Sequence, residues 1–358
     1  MIPRLCSIVA AVASACAIAA PASAGVLANG NVLAPRFAPP AHINRRMKRA
    51  TVTKYFFNGT PNSIAIGADG AAWFAVPPHG SALGFIGRID PGSQQLKQYP
   101  VGTTTAGPQS LIAGPDSDLW FVVGTEMASI TTSGTITLYA DQQYEVSGSS
   151  GLFAGPFNAP KLWTLANDAS GKPYGFSALS PSGKYTDYKF PLLPGYQSWS
   201  VGGMTSGPKH QWFCQSEYKG SVTYSALSLM ENGTIIGSYA GITCSAITYG
   251  PVLFLWANYN GLSKISTDGT VTPIDTSALI SIMQADTVDG SIWYSNGNAQ
   301  NYVPSSSINE YVAATKNLTT YVVPASAYGI EAFSVDHNHA SVWYSAYHRN
   351  GLYQITIP

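Results

Sequence analysis

The sequence is poor in charged residues. Only 10% of its 358 residues are charged, whereas soluble domains average about 25%, so uncharged polar residues must cover much of the surface. Aromatic residues make up 12%, which excludes the aromatic-poor composition of a disordered chain. The formal net charge is zero, which excludes a nucleic-acid binder built on a basic surface. No nucleic-acid partner is therefore expected.

Helical patterns, long apolar runs and common catalytic motifs are also missing. No stretch keeps a helical apolar periodicity over several turns. No apolar run beyond the N-terminal segment approaches the roughly 20 residues of a membrane span. The sequence contains no G-x-S-x-G, no Walker loop, no H-E-x-x-H and no dinucleotide-binding fingerprint. These absences leave an all-β, non-spanning fold with no motif-defined active site.

Residues 1–24 have the pattern of a secretory signal peptide. Arg4 stands near the start, an Ala-rich apolar run follows, and Ala22-Ser23-Ala24 precedes the expected cleavage site. The pattern predicts a secreted or periplasmic protein. Residues 25–50 hold five basic residues and no acid, whereas residues 51–358 hold 18 acids against 12 basic residues. Residues 25–50 are expected to be an irregular, Pro-rich, solvated lead, with contact to an anionic surface as the alternative.

Residues 51–358 contain one unit repeated seven times. An apolar strand and a turn precede a tryptophan in each unit, and two further short strands follow, separated by Gly, Asp, Asn and Pro turns. The repeated tryptophans are Trp73, Trp120, Trp163, Trp212, Trp256, Trp293 and Trp343. Four strands in each unit of roughly 40–50 residues predict a seven-bladed β-propeller in one domain. Large residues at one repeated position are expected to fill the core between neighbouring sheets.

The two ends of the repeat region predict how the ring closes. The last unit lacks a fourth strand after residues 352–358, and an unpaired strand pattern occupies residues 51–57. We therefore expect residues 51–57 to complete the seventh blade. Cys214 and Cys244 are the cysteines that remain after signal cleavage, and they fall in adjacent blades, four and five. Two cysteines in an exported chain favour a disulfide over a zinc site.

The repeat motif resembles that of the streptogramin lyase (virginiamycin B lyase) family of seven-bladed propellers. The resemblance lies in PNSIAIGADGAAWF at 61–74, IGRID at 86–90 and QYPV at 98–101. It implies a reaction in which magnesium assists the eliminative opening of a cyclic depsipeptide ester. It also implies a working His two residues before the apolar residue of a first strand, and a Glu shortly after the last Trp-Phe.

Neither functional residue of the family is found at the corresponding positions. We assign Ile64, Leu111, Leu152, Met204, Ile247, Gln284 and Glu331 to the apolar row of the first strands. The positions two residues earlier hold Asn62, Gln109, Ser150, Gly202, Ser245, Ile282 and Gly329, with no His. The position of the family's Glu falls at about Tyr347.

Other side chains predict a neutral binding surface. Loops before the first strand and between the second and third strands share one face and bring aromatic and amide groups to it, which suit a neutral polar small molecule, glycan or peptide. The predicted ligand-binding residues are Asn62, Gln109, Tyr196, Trp199, Gln284, Tyr302, Tyr328 and Tyr347. The same loops also carry His79, Tyr144, Tyr174, Glu217, Tyr218 and His348. Alternatively, Tyr and Asn are simply common in extracellular loops.

Glu331 is the sharpest candidate for chemistry. As the one acid in the assigned row it could hold a cation or act as a base with a raised pKa, or it could be a structural carboxylate. His337 and His339 form an H-x-H that is interpreted as a solvated three-residue insertion, because no third zinc ligand is evident.

Two functions therefore remain open. The first is an exported binding or scaffold propeller that keeps the lyase architecture without its His and Glu. The second is a magnesium-assisted lyase or hydrolase acting on a cyclic ester, depsipeptide or lactone. The sequence leaves the oligomeric state open, with a monomer favoured.

Overall fold

Seven small sheets make up the structure, a computed structural model. It describes residues 31–141, 143–146, 151–155, 161–250, 254–286, 288–296, 307–323 and 329–357, and contains no helix in these ranges. No segment there could therefore cross a membrane as an apolar helix. Each sheet contains one blade of antiparallel strands, and the first strand of each blade contacts the first strand of the next blade around a closed ring. The prediction of a seven-bladed β-propeller is confirmed.

The N-terminal strands and the first three blades follow in chain order. The N-terminal strands are β1 (Asn31–Leu33), β2 (Arg36–Phe37), β3 (Asn44–Arg49) and β4 (Thr51–Tyr55). Blade one is β5 (Ser63–Ile66), β6 (Ala72–Val76), β7 (Phe85–Ile89) and β8 (Leu96–Pro100). Blade two is β9 (Pro108–Ala113), β10 (Leu119–Val123), β11 (Glu126–Ile130) and β12 (Ile136–Tyr139). Blade three has its first strand in two parts, β13 (Glu145–Val146) and β14 (Leu152–Ala154), followed by β15 (Leu162–Asn167), β16 (Pro173–Leu179) and β17 (Tyr185–Lys189).

Blades four to seven complete the ring. Blade four is β18 (Ser198–Ser206), β19 (Gln211–Lys219), β20 (Val222–Glu231) and β21 (Thr234–Ala240). Blade five is β22 (Ile247–Tyr249), β23 (Phe254–Asn258), β24 (Leu262–Ser266) and β25 (Thr270–Asp275). Blade six is β26 (Ile280–Ala285), β27 (Ile292–Asn296), β28 (Ser307–Val312) and β29 (Asn317–Val322). Blade seven supplies three strands, β30 (Ile330–Asp336), β31 (Ser341–Ala346) and β32 (Leu352–Thr356).

Strand β4 closes the ring as predicted. It pairs antiparallel with β32, with Tyr55 opposite Leu352 and Thr51 opposite Thr356, and so becomes the fourth strand of blade seven. With β4 in place, blade seven has four strands like the other blades, and β32 is no longer an exposed edge strand.

The repeated tryptophans form the core, again as predicted. All seven are nearly inaccessible to solvent. In most blades the tryptophan of the second strand stacks on a tyrosine of the fourth strand: Trp73 on Tyr99, Trp120 on Tyr139, Trp163 on Tyr188, Trp212 on Tyr239 and Trp293 on Tyr321. In blade seven the tyrosine comes from the N-terminal strand, and the ring centroids of Tyr55 and Trp343 lie 5.2 Å apart. Blade five has no tyrosine in β25, and Trp256 instead contacts Tyr311 of blade six.

Glycine is required where the tyrosine of a Trp–Tyr stack contacts the next blade. Gly134, in the turn before the fourth strand of blade two, has a φ of 100°, and a Cβ there would lie 2.1 Å from the Tyr99 ring of blade one. Gly233 of blade four meets Tyr188 of blade three in the same way. A side chain at either position would meet both backbone strain and a steric clash.

Residues 31–49 differ from the expected irregular lead. Strands β1, β2 and β3 add in parallel to the outer strands of blades four, five and six. The sequence shows no alternation here because β3 is exposed along its whole length, so neither face of the strand is selected for apolar residues. Basic residues at such an edge also discourage pairing with another chain.

Arg45 fastens this segment to a buried carboxylate. Its guanidinium donates two hydrogen bonds to Asp275, at 2.8 and 3.3 Å, and the hydroxyl of Tyr294 donates a third at 3.1 Å. Asp275 is 4% exposed, whereas the Arg45 side chain is 54% exposed. Burial alone would raise the pKa of Asp275, but the hydrogen bonds from Arg45 and Ser277 outweigh it and hold the pKa below its ordinary value.

A disulfide joins blades four and five. Cys214 of β19 and Cys244, in the loop before β22, are bonded with their Cα atoms 5.4 Å apart, within the usual range for a disulfide. Both residues are buried in the cluster that contains Trp212 and Tyr239.

Replacing Tyr55 by Ala tests the closure. The variant loses the stack on Trp343 and the hydrogen bond from the tyrosine hydroxyl to Gln354. We expect its free energy of unfolding, measured in urea, to fall by about 2–4 kcal/mol. The neighbouring Phe56 is 76% exposed, and Phe56→Ala should change the free energy by no more than about 0.5 kcal/mol. Equal effects of the two variants would contradict the closure.

Replacing Arg45 by Met tests the role of the lead. Asp275 would remain buried without its cation, and we expect a loss of about 1–3 kcal/mol at pH 7, less than for a fully buried pair because half of Arg45 is in water. Because the folded-state pKa of Asp275 is lowered, the pair stabilises the protein above the unfolded pKa of about 3.9 and ceases to do so as the pH falls through the folded value. The difference between variant and parent should therefore vanish in acid. Arg46→Met, an exposed neighbour in β3, is the control; an equal loss there would refute a specific role for Arg45.

Candidate functional site

The register of the first strands defines the site. The residues paired with the seven tryptophans are Ala65, Ile112, Phe153, Thr205, Thr248, Gln284 and Ser334. The residue before each forms the apolar row. The assignment from sequence is correct in the first five blades and wrong in the last two, where Met283 and Phe333 occupy the row.

Turn lengths explain the two errors. Asp336 pairs with Ser341, so the first turn of blade seven covers residues 337–340 and contains no three-residue insertion. The strand therefore lies two residues later than expected. In blade six, Ala285 pairs with Ile292 and leaves a turn of residues 286–291. This turn is one residue longer than residues 67–71 of blade one.

The corrected register places Glu331 in a different row. Two residues before the apolar row, and where the first strands begin, lie Asn62, Gln109, Gly202, Ser245, Ser281 and Glu331. We call this set the channel-mouth row; its member in blade three, Ser150, lies outside the described residues. This is the row in which the family resemblance places the working His. It holds amides, hydroxyls, one glycine and a single carboxyl group.

Glu331 sits in a β-bulge. Ile330 pairs with Ala346 and Ala332 pairs with Ser345, which leaves Glu331 as the extra residue between them. Burial raises the pKa of its carboxyl group to about 7. Within the described residues, no hydrogen-bond or ion-pair partner reaches this carboxyl group. Glu331 is therefore a half-buried acid that can change charge near neutral pH.

Two other blades show what usually satisfies a side chain in this row. The amide of Asn258, two residues after Trp256, donates to the hydroxyl of Ser245 at 3.0 Å. The hydroxyl of Ser295, two residues after Trp293, bonds to that of Ser281 at 2.9 Å. The equivalent residue in blade seven is Ser345, whose hydroxyl is fully buried and has no partner among the described residues. Blade seven thus leaves two polar groups unsatisfied at corresponding positions.

Gln284 has a structural role. Its side-chain oxygen accepts a hydrogen bond from the backbone N–H of Val335, in blade seven, at 3.1 Å. Thr205 and Thr248 occupy the same row and accept from the N–H groups of Tyr249 and Ala285 in the next blade. That Gln284 binds a ligand stays a prediction; the structure shows that its side-chain oxygen links blades six and seven.

Trp199 also belongs to the core. It is 7% exposed and stacks on Phe190, with ring centroids 4.3 Å apart. It was expected in a loop outside the repeat, but β18 is long enough to include it. Its ring is consequently covered by Phe190 and Phe176 and is not presented to a ligand.

The other predicted residues that the structure describes lie at the ends of strands. Tyr196 is half-buried and packs edge-on against Tyr224. Tyr347 is half-buried, its ring meets that of His348, and its N–H donates to Gly329, just before β30. Tyr302 and Tyr328 lie outside the described residues. Asn62 receives a hydrogen bond from the hydroxyl of Ser63 and donates weakly to the carbonyl of Pro108 at 3.5 Å.

Blades three and four carry aromatic and acidic groups at the end of the ring where the channel-mouth row lies. Tyr144 and Tyr174 stack with their centroids 3.9 Å apart, and the hydrogen bond to Tyr144, with burial, raises the pKa of Tyr174 to about 12. Glu217 is fully buried rather than presented to a ligand, and it accepts hydrogen bonds from the Leu193 N–H and the Gln215 amide. Burial raises its pKa. Its role is to hold the long connection before β18 against blade four.

The channel-mouth row does not suit magnesium. Mg²⁺ prefers an octahedral set of oxygens that includes one or two carboxylates. The described row offers one carboxyl group, which is only about half ionised near pH 7, and the oxygen of Asn62 is already engaged by Ser63. The described residues of the row therefore do not supply the oxygen ligands of a magnesium site.

The histidine pair on the opposite face is exposed, as expected, but it is not an insertion, and each ring has an aspartate partner. Nδ1 of His337 lies 3.0 Å from a carboxylate oxygen of Asp286, and Nδ1 of His339 lies 2.8 Å from one of Asp336. Both aspartates are buried. Sequence separation hid the partner of His337, because Asp286 belongs to blade six.

Comparisons with known proteins agree on the fold. Virginiamycin B lyase from Staphylococcus aureus superposes with a TM-score of 0.60 at 16% identity, covering 87% of this chain and 100% of that chain. XC5397 from Xanthomonas campestris, a gluconolactonase, gives 0.52 at 11% identity, with coverage of 95% and 99%. An oligogalacturonate lyase in complex with manganese gives 0.58 at 12% identity, with coverage of 87% and 97%.

The sequence matches no protein-family profile and no curated protein. At the identities of the three structural relatives, the likeness concerns the fold alone. The resemblance to the streptogramin lyases is confirmed at that level.

Replacing Gln284 by Met tests its structural assignment. The variant keeps a similar shape but leaves the Val335 N–H without an acceptor, so we expect the free energy of unfolding to fall by about 1 kcal/mol or somewhat more. Gln98→Met, at an exposed position of β8, is the matched control and should change it by no more than about 0.5 kcal/mol. A fully stable Gln284→Met protein would show that the link between the blades carries no energy.

Proposed function

We propose that this chain is an exported propeller that binds a neutral polar ligand, a glycan or a peptide, at the channel-mouth row. Export rests on the signal-peptide pattern of residues 1–24. Binding rests on the row itself, which combines amide and hydroxyl groups with the unpaired Glu331. Such a set recognises a ligand by hydrogen bonds rather than by charge.

The observation that carries this proposal is the unsatisfied pair in blade seven. Within the described residues, neither the half-buried carboxyl group of Glu331 nor the buried hydroxyl of Ser345 has a partner, and such groups are costly unless something completes them. With a pKa of about 7, Glu331 can donate a hydrogen bond when protonated and accept one when ionised. A hydroxyl or amide group of a sugar or peptide can accept a hydrogen bond from the protonated Glu331 or donate one to the ionised form.

Aromatic side chains at the same end of the ring add a second contact type. Three tyrosines lie in or beside the loops at this end of the ring: the stacked Tyr144 and Tyr174 of blade three, and the exposed Tyr218 of blade four. Tyrosine rings of this kind pack on sugar faces and on peptide side chains while their hydroxyls stay hydrated. They would enlarge the binding surface beyond the channel mouth.

A second candidate is a lyase or hydrolase that uses Glu331 as its base. The observation in its favour is the corrected register, which puts Glu331 in the row where the family resemblance places the working His. A carboxyl group with a pKa near 7 is suited to general-base work at neutral pH. Against it stands the donor set, which lacks a histidine and a second carboxylate among the described members of the row.

The binding proposal is tested with glycan and peptide arrays, followed by calorimetry on each hit. We expect hits whose affinity falls roughly 10- to 100-fold in Glu331→Ala, as is usual when a hydrogen bond to an ionisable group is lost. Gln109→Ala should weaken binding less. Glu231→Ala removes an exposed carboxylate from the opposite face and should leave affinity unchanged. An array without hits, or equal losses in the Glu331 and Glu231 variants, would contradict the proposal.

The enzyme candidate has its own test. The protein is incubated with a type B streptogramin and magnesium, and with a simple lactone, and ring opening is followed by mass spectrometry. We expect no turnover above buffer. Turnover that disappears in Glu331→Gln would overturn the binding proposal and make Glu331 the catalytic base.

A further inference from the structure

The face opposite the channel-mouth row holds a second concentration of chemistry. Where blades six, seven and one meet, a cavity of about 190 Å³ is lined by Ile66, Gln284, Asp286, Val335, His337 and Asn338. These residues lie near the ends of the first strands and in the turns that follow them, so the cavity is at the opposite end of the strands from the channel-mouth row. Asp289 stands in the same turn of blade six as Asp286.

Asp286 is a buried acid with little compensation. Its side chain is 5% exposed, and within the described residues its one ion-pair partner is His337, with no Lys or Arg in reach. One carboxylate oxygen accepts from the Val288 N–H at 2.8 Å, and the other faces Nδ1 of His337 at 3.0 Å. A buried carboxylate needs a cation nearby to remain ionised.

Further acids make this region more negative. Asp289 contributes a second carboxylate, and burial together with the charges of Asp289 and Asp286 raises the pKa of the nearby Glu310. Lys48 of the lead acts on Glu310 in the opposite sense. Asp286 and Asp289 thus place two carboxylates beside the His337 ring.

The ligand atoms are grouped closely enough for one ion. One atom each of Asp286, Asp289 and His337 lie within 4.8 Å of one another. A tetrahedral zinc ion holds its donors at about 2.0–2.2 Å and so about 3.3 Å apart. The His337–Asp286 separation of 3.0 Å is already close to this value. The exposed side chains of Asp289 and His337 can make the remaining adjustment by small rotations.

We propose that Asp286, Asp289 and His337 form a site for a divalent transition-metal ion of the zinc class. One imidazole and two carboxylates select zinc and its neighbours over magnesium and calcium, which rarely take nitrogen ligands. Any proton on the coordinating imidazole nitrogen is released to solvent when the metal binds. Water completes the coordination.

The bound ion would join two blades. Asp286 and Asp289 belong to the first turn of blade six, and His337 belongs to the corresponding turn of blade seven. Blade seven is the one completed by the N-terminal strand β4. Metal binding therefore stabilises the folded ring at its closing blade, because the unfolded chain does not hold the three ligands together.

His339 provides an internal control. Its side chain is 44% exposed and its Nδ1 lies 2.8 Å from the buried Asp336, so its immediate surroundings match those of His337. It does not belong to a group of three ligand atoms among the described residues. Any effect of imidazole loss that is not due to the metal should appear equally at His339.

Zinc chloride is the probe, with the untagged full chain, calorimetry for affinity and thermal unfolding for stability. We expect one zinc per chain at the site and a midpoint raised by several degrees at a hundredfold excess over the dissociation constant. His337→Ala and Asp289→Asn should each weaken binding at least tenfold and abolish the thermal shift. His339→Ala should retain both the zinc affinity and the thermal shift of the parent protein. Asp289→Asn retains an acceptor for the Ser291 N–H, which Asp289 now satisfies, so it tests the site without disturbing the turn.

Three outcomes would overturn the proposal. The first is a parent protein that does not bind zinc. The second is a loss of affinity in His339→Ala as large as in His337→Ala, which would indicate nonspecific histidine binding. The third is a thermal shift that persists in Asp289→Asn. In the last two cases His337 and Asp286 would form an ordinary ion pair.

Discussion

The stacking of one tryptophan on one tyrosine is the contact on which this ring depends. It fills the space around the second and fourth strands of most blades, and the next blade supplies a glycine, such as Gly134, that lets the tyrosine approach closely. Blade seven has no tyrosine of its own in this position. It takes Tyr55 from the other end of the repeat region, so the same contact that packs a blade also closes the ring.

Closure in turn explains the ordered N-terminal segment. Strands β1, β2 and β3 pass along blades four, five and six before β4 enters blade seven. Arg45 fixes this path because it neutralises Asp275, a buried acid at the end of blade five that also bonds to Tyr294 of blade six. Among the basic residues of β3, Arg45 thus has a structural role, whereas the others remain exposed at a sheet edge.

The blade assembled from both termini also differs chemically from the others. Its first strand has a bulge at Glu331, as that of blade four has at Gly202, but in blade seven the bulged residue brings a carboxyl group to the channel-mouth row. Beside it, the hydroxyl of Ser345 has no partner among the described residues. Its first turn carries His337, which meets the acids of blade six. The two faces of the ring therefore present different chemistry along the same blade, and neither arrangement repeats elsewhere in the described residues.

The sequence predicted what the repeat controls and missed what individual turns control. Seven tryptophans at a regular spacing were enough for blade number, core and closure. Gln284 and Glu331 were misplaced because bulges and turn lengths shift a strand by one or two residues without changing its composition. Trp199 was misassigned because an aromatic residue in a long connection looks the same whether the strand includes it or not. The partners of His337 lie about 50 residues away in sequence, and no local pattern announces them.

The proposed binding depends on Glu331 as a half-buried acid at the channel mouth whose carboxyl group has no partner among the described residues. Carbon-13 NMR of the labelled glutamate carboxyl groups tests it directly, with the Glu331 signal assigned by its loss in Glu331→Gln. We expect this carboxyl group to titrate near pH 7, above the ordinary glutamate value of about 4.3. A saturating ligand identified on the arrays should displace the midpoint. A midpoint at the ordinary value, unchanged by ligand, would contradict the account.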